Sequence, residues 1–435
     1  MVEPGADAAD CSGLYRIYIL VLLLAANALA YADRHLLSVL LPSIKDEFKV
    51  SDAMLGFIAG PAFIAPYVLL SVPLAALADR WSRRKVIALA VGVWSAATAL
   101  CGMAANPIQL MLGRVLVGTG EAGGFPASQS VIIGLFPRHQ RSTALGVLSS
   151  GAYIGLLLGL ACGGALAMAF GWRMAFFILA APGILVAFLI WTTVPRRSRE
   201  ISVTKSNSMA SVIKLCWSIR TFRNLAYALG LFTIFGFAAA VWMPSYFMRS
   251  HGMTAFEAGM WMGIGSGIGG VAGTFVSGVI VDRLAARDIR WQLRVPAVGF
   301  MIAVPVIIAT LLLPAGFVIE VGGVVIPVVS LCLIVNAFLT AFWSGPTYAA
   351  LSSCVDPTLR AQVASLMIAI ISIVGAMLGP LFTGFASDIL TPHLGNEALR
   401  YSLLGLGSTV IAVAWFFWRA ASAYRTDYMP TPSAP

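Results

Sequence analysis

Ala75-Ala-Leu-Ala-Asp79-Arg80-Trp81-Ser82-Arg83-Arg84 closes an apolar run that begins at Ala53, and its centre recurs 203 residues later as Gly278-Val-Ile-Val-Asp282-Arg283. In both places a long hydrophobic segment ends on an acid–base pair. A second pair of stretches keeps the same order: Gly155-Leu-Leu-Leu-Gly159 and Gly375-Ala-Met-Leu-Gly379-Pro380. The longer loop at 314–324, against 105–107 in the first copy, absorbs the difference in offset. One unit has been used twice, so two bundles related by a pseudo-twofold axis along the membrane normal are expected.

Composition names the solvent. Of 435 residues, 59% are hydrophobic and 11% charged, with a mean hydropathy of +0.90; soluble domains carry about 25% charged residues. Crossing a bilayer takes about 20 apolar residues, and twelve runs qualify: 15–41, 53–77, 86–104, 108–135, 143–169, 174–194, 225–248, 258–281, 295–313, 325–352, 363–390 and 401–420. The expected fold is all-α and integral to the membrane, twelve transmembrane helices in two pseudo-twofold-related six-helix bundles. The expected domains are a cytoplasmic amino tail (1–14), an amino-terminal bundle (15–194), a basic linker (195–224), a carboxy-terminal bundle (225–420) and a cytoplasmic tail (421–435). The acidic start (Glu3, Asp7, Asp10) lacks the basic region of a signal peptide, so the first run reads as a retained helix.

Lys and Arg placement sets the orientation. Of 28 basic residues, only Lys45, Lys49, Arg173, Arg249 and Arg400 fall in the loops on one side, and Arg34 and Arg114 lie inside apolar runs. The rest collect on the other side, so both termini are expected in the cytoplasm and the protein in the cell (plasma or inner) membrane. The net charge of +10 is thus a topology signal, and nucleic acid is not an expected partner. Within the linker, 208–217 reads either as an amphipathic helix on the membrane surface or as a solvated basic segment.

Six cysteines without CxxC spacing read as packing residues, and four scattered histidines hold no metal-ligand pattern. No metal and no cofactor are expected. No GxxxxGK[ST] occurs, so no nucleotide bound to this chain drives it. An intramembrane enzyme needs a nucleophile with a base, and His35 beside Asp33 is the single histidine next to an acid deep in a helix. No enzyme is expected.

The acids inside the membrane are Asp33 and Glu121, and the bases are Arg34 and Arg114. Each isolated charge at mid-bilayer costs about 2.5–3.5 kcal/mol, so the four should face inward and pair. Asn27, Tyr31, Arg34 and Ser38 share one helical face, as do Arg114, Gly118 and Glu121. Asp33 lies about 100° around from Arg34, and Arg114 is roughly 10 Å along the axis from Glu121. The expected pairs are therefore between helices: Asp33 with Arg114, Glu121 with Arg34. Protonating either acid frees an arginine to hold an anion, which makes Asp33 and Glu121 candidate proton-coupling residues and Arg34 and Arg114 candidate anion-binding residues.

The second half carries no charge inside its apolar runs. Asn336, Thr340, Trp343, Ser344 and Thr347 form an uncharged stripe there, with Phe235 and Trp242 adding apolar bulk. These residues, with Asn27 and Tyr31, are the expected lining of a cavity. Asp79, Arg80, Arg83, Arg84, Asp282 and Arg283 are expected to act as a cytoplasmic gate latch.

The Asp-Arg-x-x-Arg-Arg motif at 79–84, Arg114-x-x-x-Gly118-x-Gly120 and the glycine-rich fifth run resemble the major facilitator superfamily over nearly the whole chain. Ala75 and Ser82 stand where that family usually has glycine, and Leu160 where its antiporters usually have proline. Within the family, Asn27…Tyr31-Ala-Asp33-Arg34, Pro42-Ser-Ile-Lys-Asp-Glu-Phe48 and Ser51-Asp52 are similar to the Spinster-like branch. That branch includes transporters of sphingosine phosphates and lysolipids, antiporters among the family's modes. The resemblance implies secondary active, proton-coupled transport of an amphiphilic anion through a central cavity by alternating access. The alternative is a proton-coupled sugar or organic-acid symporter on the same fold. The expected partners are the proton, the anion and the bilayer, with the chain acting as a monomer.

Overall fold

The computed structural model describes residues 13–194, 209–321, 323–356 and 359–429, with Asp79 and Arg80 described in their backbone alone. The expected tail before residue 13, linker residues 195–208 and positions 430–435 lie outside that set.

In hydrocarbon every backbone N–H and C=O must be satisfied within the segment, so apolar runs of this length become helices. Among the described residues, nine continuous stretches are long and apolar enough to cross a membrane. Two of them, Thr143–Thr193 and Gln362–Asp427, hold two spans each. The first turns at Gly171 (φ 81) and the second at Gly395 (φ 54), left-handed angles that glycine adopts without a Cβ penalty. One more span is interrupted between Pro107–Glu121 and Gly124–Leu135. Twelve spans result.

In the first half they are Gly13–Phe48; Asp52–Ala59 with Pro61–Arg80; Arg83–Gly102; Pro107–Glu121 with Gly124–Leu135; and Arg141–Leu157, running on to the turn at Gly171, after which the sixth ends at Thr193. In the second half they are Arg220–His251, Ala255–Ala285, Trp291–Leu312, Val328–Ser352, a span from Arg360 to Leu394, and one from Ala398 to Asp427. The chain divides into two compact units, Met1–Ser202 with Thr254–Met260, and Val203–Met253 with Trp261–Pro435.

The internal repeat is visible inside each unit. In the first, Gly155 and Gly159 of the fifth span lie on the first span, against the backbone of Ala28 and Ala32. In the second, Gly375 and Gly379 of the eleventh lie on the seventh, against Thr233 and Ile234. Small residues four apart let two backbones touch where lipid offers no hydrophobic drive. Both spans also widen into a π-helical turn beside the motif, at Leu158–Cys162 and Ile371–Met377.

Loop ends are tied by side chains. Arg173 and Trp172 both donate to Glu47 (2.5 and 2.7 Å), and Arg173 also reaches the Ala104 carbonyl, joining three spans of the first unit. In the second unit Asp427, ending the last span, accepts from the Thr221 N–H (2.7 Å) and hydroxyl (2.8 Å). It thereby satisfies a first-turn N–H that the seventh span cannot satisfy itself. Asp427→Ala is expected to lower stability by about 1–2 kcal/mol, read as an earlier unfolding midpoint in detergent; Asp427→Asn should keep most of it.

Two readings change. The segment expected as a loop at 314–324 carries a hairpin, Val318–Val321 paired antiparallel with Val324–Pro327. β-branched residues on either side of a turn glycine (Gly323, φ 80) favour strands over coil. The tenth helix therefore starts at Val328, not 325. In the linker, Met209–Ser218 is a helix that buries Val212 and Cys216 and exposes Ile213, Leu215 and Trp217, one of the two readings left open.

Candidate functional site

The first span places Asp33 and Arg34 on adjacent helical positions, so they point to different neighbours. Asp33 accepts from Arg114 of the fourth span, Nη1 to Oδ2 at 2.5 Å. Arg34 donates to Glu121, Nε to Oε2 at 2.7 Å and Nη2 to the same oxygen at 2.5 Å. These are the two cross-helix pairs that the spacing called for. Asp33 (1%), Arg114 (1%) and Glu121 (3%) are almost wholly enclosed, whereas the Arg34 side chain is 25% exposed. A buried pair of this kind is costly to break, because the survivor keeps its charge without a partner.

Aromatic rings complete the setting. The Arg34 guanidinium lies 4.9 Å from the Tyr31 ring centre and 5.0 Å from those of Phe63 and Tyr67. The Arg114 guanidinium shares one of these rings, at 4.9 Å from the centre of Phe63. Ring faces attract cations most when water is excluded, so three aromatics hold the Arg34 guanidinium in addition to Glu121.

Beside Arg34 and Glu121 is a hollow of about 40 Å³ lined by Asn27, Tyr31, Tyr67, Trp94, Phe125 and Ser128 among others. That is room for about three waters. Oxygen Oε1 of Glu121 is buried and bonded to no described group, and Glu121 lines this hollow. Asn27 is anchored by its amide on the Leu148 carbonyl (2.9 Å), so its position is set by the fifth span.

Several residues that sequence reasoning left aside belong to the site. Thr98 of the third span donates to Asp33 Oδ1 at 2.7 Å and also lies 2.9 Å from the Trp94 carbonyl. Phe63 and Tyr67 sit four apart on the second span and could have been found by that spacing. Thr98 gives no such signal, since a lone threonine in an apolar helix usually bonds its own backbone.

The second unit corrects the expected lining. Trp242 is fully enclosed, its indole N–H on the Pro380 carbonyl (2.9 Å); it fastens the seventh span to the eleventh. Phe235 is 5% exposed and lies beside Gly407, and Thr347 is fully buried. The stripe is broken by a 3₁₀ turn at Ala341–Trp343, which rotates the residues beyond it out of register. Thr340 and Ser344 turn their hydroxyls to the carbonyls of Asn336 and Ala341. Trp343 stacks edge-on with Phe232 (6.0 Å), and both Asn336 and Trp343 are half-buried.

At the expected gate, Arg83 is buried and Arg84 reaches the Val194 carbonyl (3.4 Å); the side chains of Asp79 and Arg80 lie outside the described residues. Asp282 and Arg283 are exposed, with no ion pair to a described residue. The pairing in that corner falls instead to Asp288, with Arg290 at 2.9 Å and Arg294 at 3.5 Å. The backbone N–H and side chain of Arg290 hold the Asp288 carboxyl below the usual range.

Comparison with known proteins agrees with this architecture. The chain is 32% identical over 430 residues to an MFS-type efflux pump of Mycolicibacterium smegmatis, covering 97% of this chain and 96% of the relative. It is 24% identical to the hexuronate transporter of Bacillus subtilis, over 86% of this chain and 88% of that one. A crystal structure of a bacterial homolog of the human lysosomal transporter Spinster superposes with a TM-score of 0.85 at 27% identity, covering 97% of this chain and all of that one. Like these, it is a multi-pass membrane transporter and not an enzyme. Because the sequence profile of the Major Facilitator Superfamily matches residues 23–380, on a chain whose twelve spans fold as two six-span units with the same glycine contacts, this protein belongs to that superfamily, with a Spinster-like structure.

Proposed function

We propose that the chain is a proton-coupled carrier of an amphiphilic organic anion, whose acidic group is taken by Arg34 when Glu121 is protonated. The observation that carries this is the Arg34–Glu121 pair at the edge of a hollow, with one oxygen of Glu121 unbonded and three rings around the guanidinium. A carboxylate paired to arginine and a carboxylic acid beside a free arginine are two states of one switch. Burial favours the neutral acid and the guanidinium favours the ion, so modest changes in wetting or in pair distance move the proton. The freed guanidinium binds a carboxylate or phosphate through its fork of N–H groups. Asp33 and Arg114 form the enclosed half of the quartet and complete its neutrality. The rings of Tyr31, Tyr67, Trp94 and Phe125 offer the non-charged part of the cargo an apolar wall, which favours an amphiphile and agrees with the likeness to the Spinster homolog. The gathering of Lys and Arg in the loops of one side supports a topology with both termini in the cytoplasm.

A sugar-acid symporter is the second reading, supported by the likeness to the hexuronate transporter of Bacillus subtilis. Both cargoes are anions, and they differ in the apolar part. Proteoliposome uptake of a lysolipid panel and of glucuronate, each with and without an inward proton gradient, separates them. Gradient-stimulated lysolipid uptake is expected; uptake of glucuronate but no lipid would replace the amphiphile with the sugar acid. Glu121→Gln and Asp33→Asn should flatten the pH dependence of uptake by tenfold or more, about 1.4 kcal/mol of lost coupling. Variants that transport with the wild-type pH profile would remove the proton from the mechanism.

A further inference from the structure

Thr98 holds one hydroxyl hydrogen, yet its oxygen lies within bonding distance of two acceptors, Asp33 Oδ1 (2.7 Å) and the Trp94 carbonyl (2.9 Å). A hydroxyl is one donor and two acceptor sites. With Asp33 ionised, Thr98 gives its hydrogen to Oδ1, and the Trp94 carbonyl is left with its ordinary helical partner. With Asp33 carrying a proton on Oδ1, that O–H donates to Thr98 Oγ1, and Thr98 turns its hydrogen to the Trp94 carbonyl. In both states Thr98 Oγ1 and Asp33 Oδ1 remain bonded to each other, and the change at this contact needs only a hydroxyl rotation.

We propose that Thr98 is a positioning residue that lets Asp33 exist with and without its proton at little structural cost. The proposal rests on the proton-coupling reading above and assigns a role to a third-span residue within it. The proton reaches Oδ1 from water: a hollow of about 10 Å³, lined by Asp33, Ser95, Thr98 and Gly183 among others, lies at this contact, which is room for about one molecule. Oxygen Oδ2 keeps its bond to Arg114 throughout.

The ionisable groups facing Asp33 are few. The fourth span brings Arg114 and Glu121 and the third brings Cys101, while Arg34 and His35 follow Asp33 on its own span and turn to other sides. The second span adds Phe63 and Tyr67 beside the two guanidiniums. The sixth offers Leu179, Ala180 and Gly183, none of them ionisable. Ser95 lines the same hollow with a second hydroxyl, but the one bonded to Oδ1 is that of Thr98.

Infrared titration of the full chain in nanodiscs tests this without a substrate. The protonated-carboxyl band that Asp33→Asn abolishes is followed against pH in wild type, Thr98→Val, Thr98→Ala and Thr98→Ser. In the valine and alanine variants the band is expected at the higher frequency of an acid that donates to nothing. It should also persist further toward alkaline than in wild type, because the bond lost to the ionised form is stronger than the one lost to the acid. Thr98→Ser should overlay wild type. The amide bands in the same spectra report helicity, and Thr98→Ala carries the comparison should the valine variant not fold. Valine and alanine variants with the wild-type band and midpoint would overturn the role of Thr98 alone, as would a serine variant shifted as far as valine. If Asp33→Asn removes no carboxyl band at any pH, proton uptake at Asp33 fails and this role fails with it.

Discussion

Arg114→Ala should cost about 3–5 kcal/mol of stability, among the largest losses available to any single substitution here. The reason is enclosure. Arg114 is 1% exposed, its guanidinium donates to Asp33, and it sits over Phe63. Removing it leaves the Asp33 carboxyl 1% exposed, with the Thr98 hydroxyl its remaining described partner, so that it must either stay charged without a counter-ion or take a proton. The lost bond itself is the smaller part; the stranded charge is the larger. The double variant Asp33→Asn with Arg114→Gln should therefore recover most of the loss, since it replaces both charges with amides that can bond each other. Arg34→Ala makes the contrast. Its side chain is 25% exposed, so solvent takes part of the screening, and Glu121 can shed its charge by taking a proton. Its destabilisation should be smaller, and larger at alkaline than at acid pH. Unfolding midpoints in detergent, with fluorescence-detected size exclusion as a second reading, check all three. An Arg114→Ala protein as stable as wild type would mean that the pair is not buried as described.

Why the pairs were readable and their surroundings were not lies in the physics of the medium. A charge in hydrocarbon is so costly that its sequence position alone predicts a partner, and the 100° step between Asp33 and Arg34 then forbids a shared one. Glycines spaced four apart signal close helix contact and marked the repeat, but which spans meet is known only from the structure: Gly155 and Gly159 lie on the first span, Gly375 and Gly379 on the seventh. Neutral polar and aromatic residues carry much less. Thr98, Thr340 and Ser344 are alike in sequence, each a hydroxyl in an apolar helix, yet the last two bond their own backbone and the first also meets a carboxylate. Trp242 and Trp343 are equally alike, yet one is enclosed and the other half-buried. The 3₁₀ turn at Ala341–Trp343 and the π turns at Leu158–Cys162 and Ile371–Met377 run directly into Gly345-Pro346, Gly163-Gly164 and Gly379-Pro380, yet a helical wheel drawn straight through the tenth span grouped Thr347 with Asn336 and Thr340. The break before Gly124 likewise comes at a Gly-Gly pair, and the hairpin at 318–327 surrounds a turn glycine; these signals were present and outweighed by the length of the apolar runs.

Gly155→Val should be as damaging as the loss of a buried arginine, although it removes no interaction. A Cβ at Gly155 would meet the Tyr31 Cβ at 2.7 Å and the Ala32 nitrogen at 2.9 Å, with the Ala28 carbonyl oxygen nearer still. Two of these are backbone atoms of the first span, which no rotamer change can move. Overpacking a core costs about 1–3 kcal/mol when side chains can yield; here the helices themselves must part, so about 3 kcal/mol or more is expected. The separation would fall on the turn of the first span that carries Tyr31, Asp33 and Arg34, so the ion pairs to Arg114 and Glu121 would stretch as well. Transport should then be lost even in protein that still folds. Gly146 supplies the control within the same span: nothing lies within 4 Å of a Cβ built there, so Gly146→Val should change stability by no more than about 1 kcal/mol. Gly375→Val in the repeat meets Thr233 Cβ at 2.5 Å, which the backbone fixes, and Thr233 Oγ1 at 2.6 Å and Phe237 at 2.9 Å, which rotamer changes can move; with no main-chain atom among them it should fall between the two. Measured unfolding midpoints in the order Gly146→Val, Gly375→Val, Gly155→Val, from most to least stable, would place the cost in backbone approach. Equal effects at all three would assign it to helix propensity, because that term is common to every glycine in a span and contact with Ala28 and Ala32 is not.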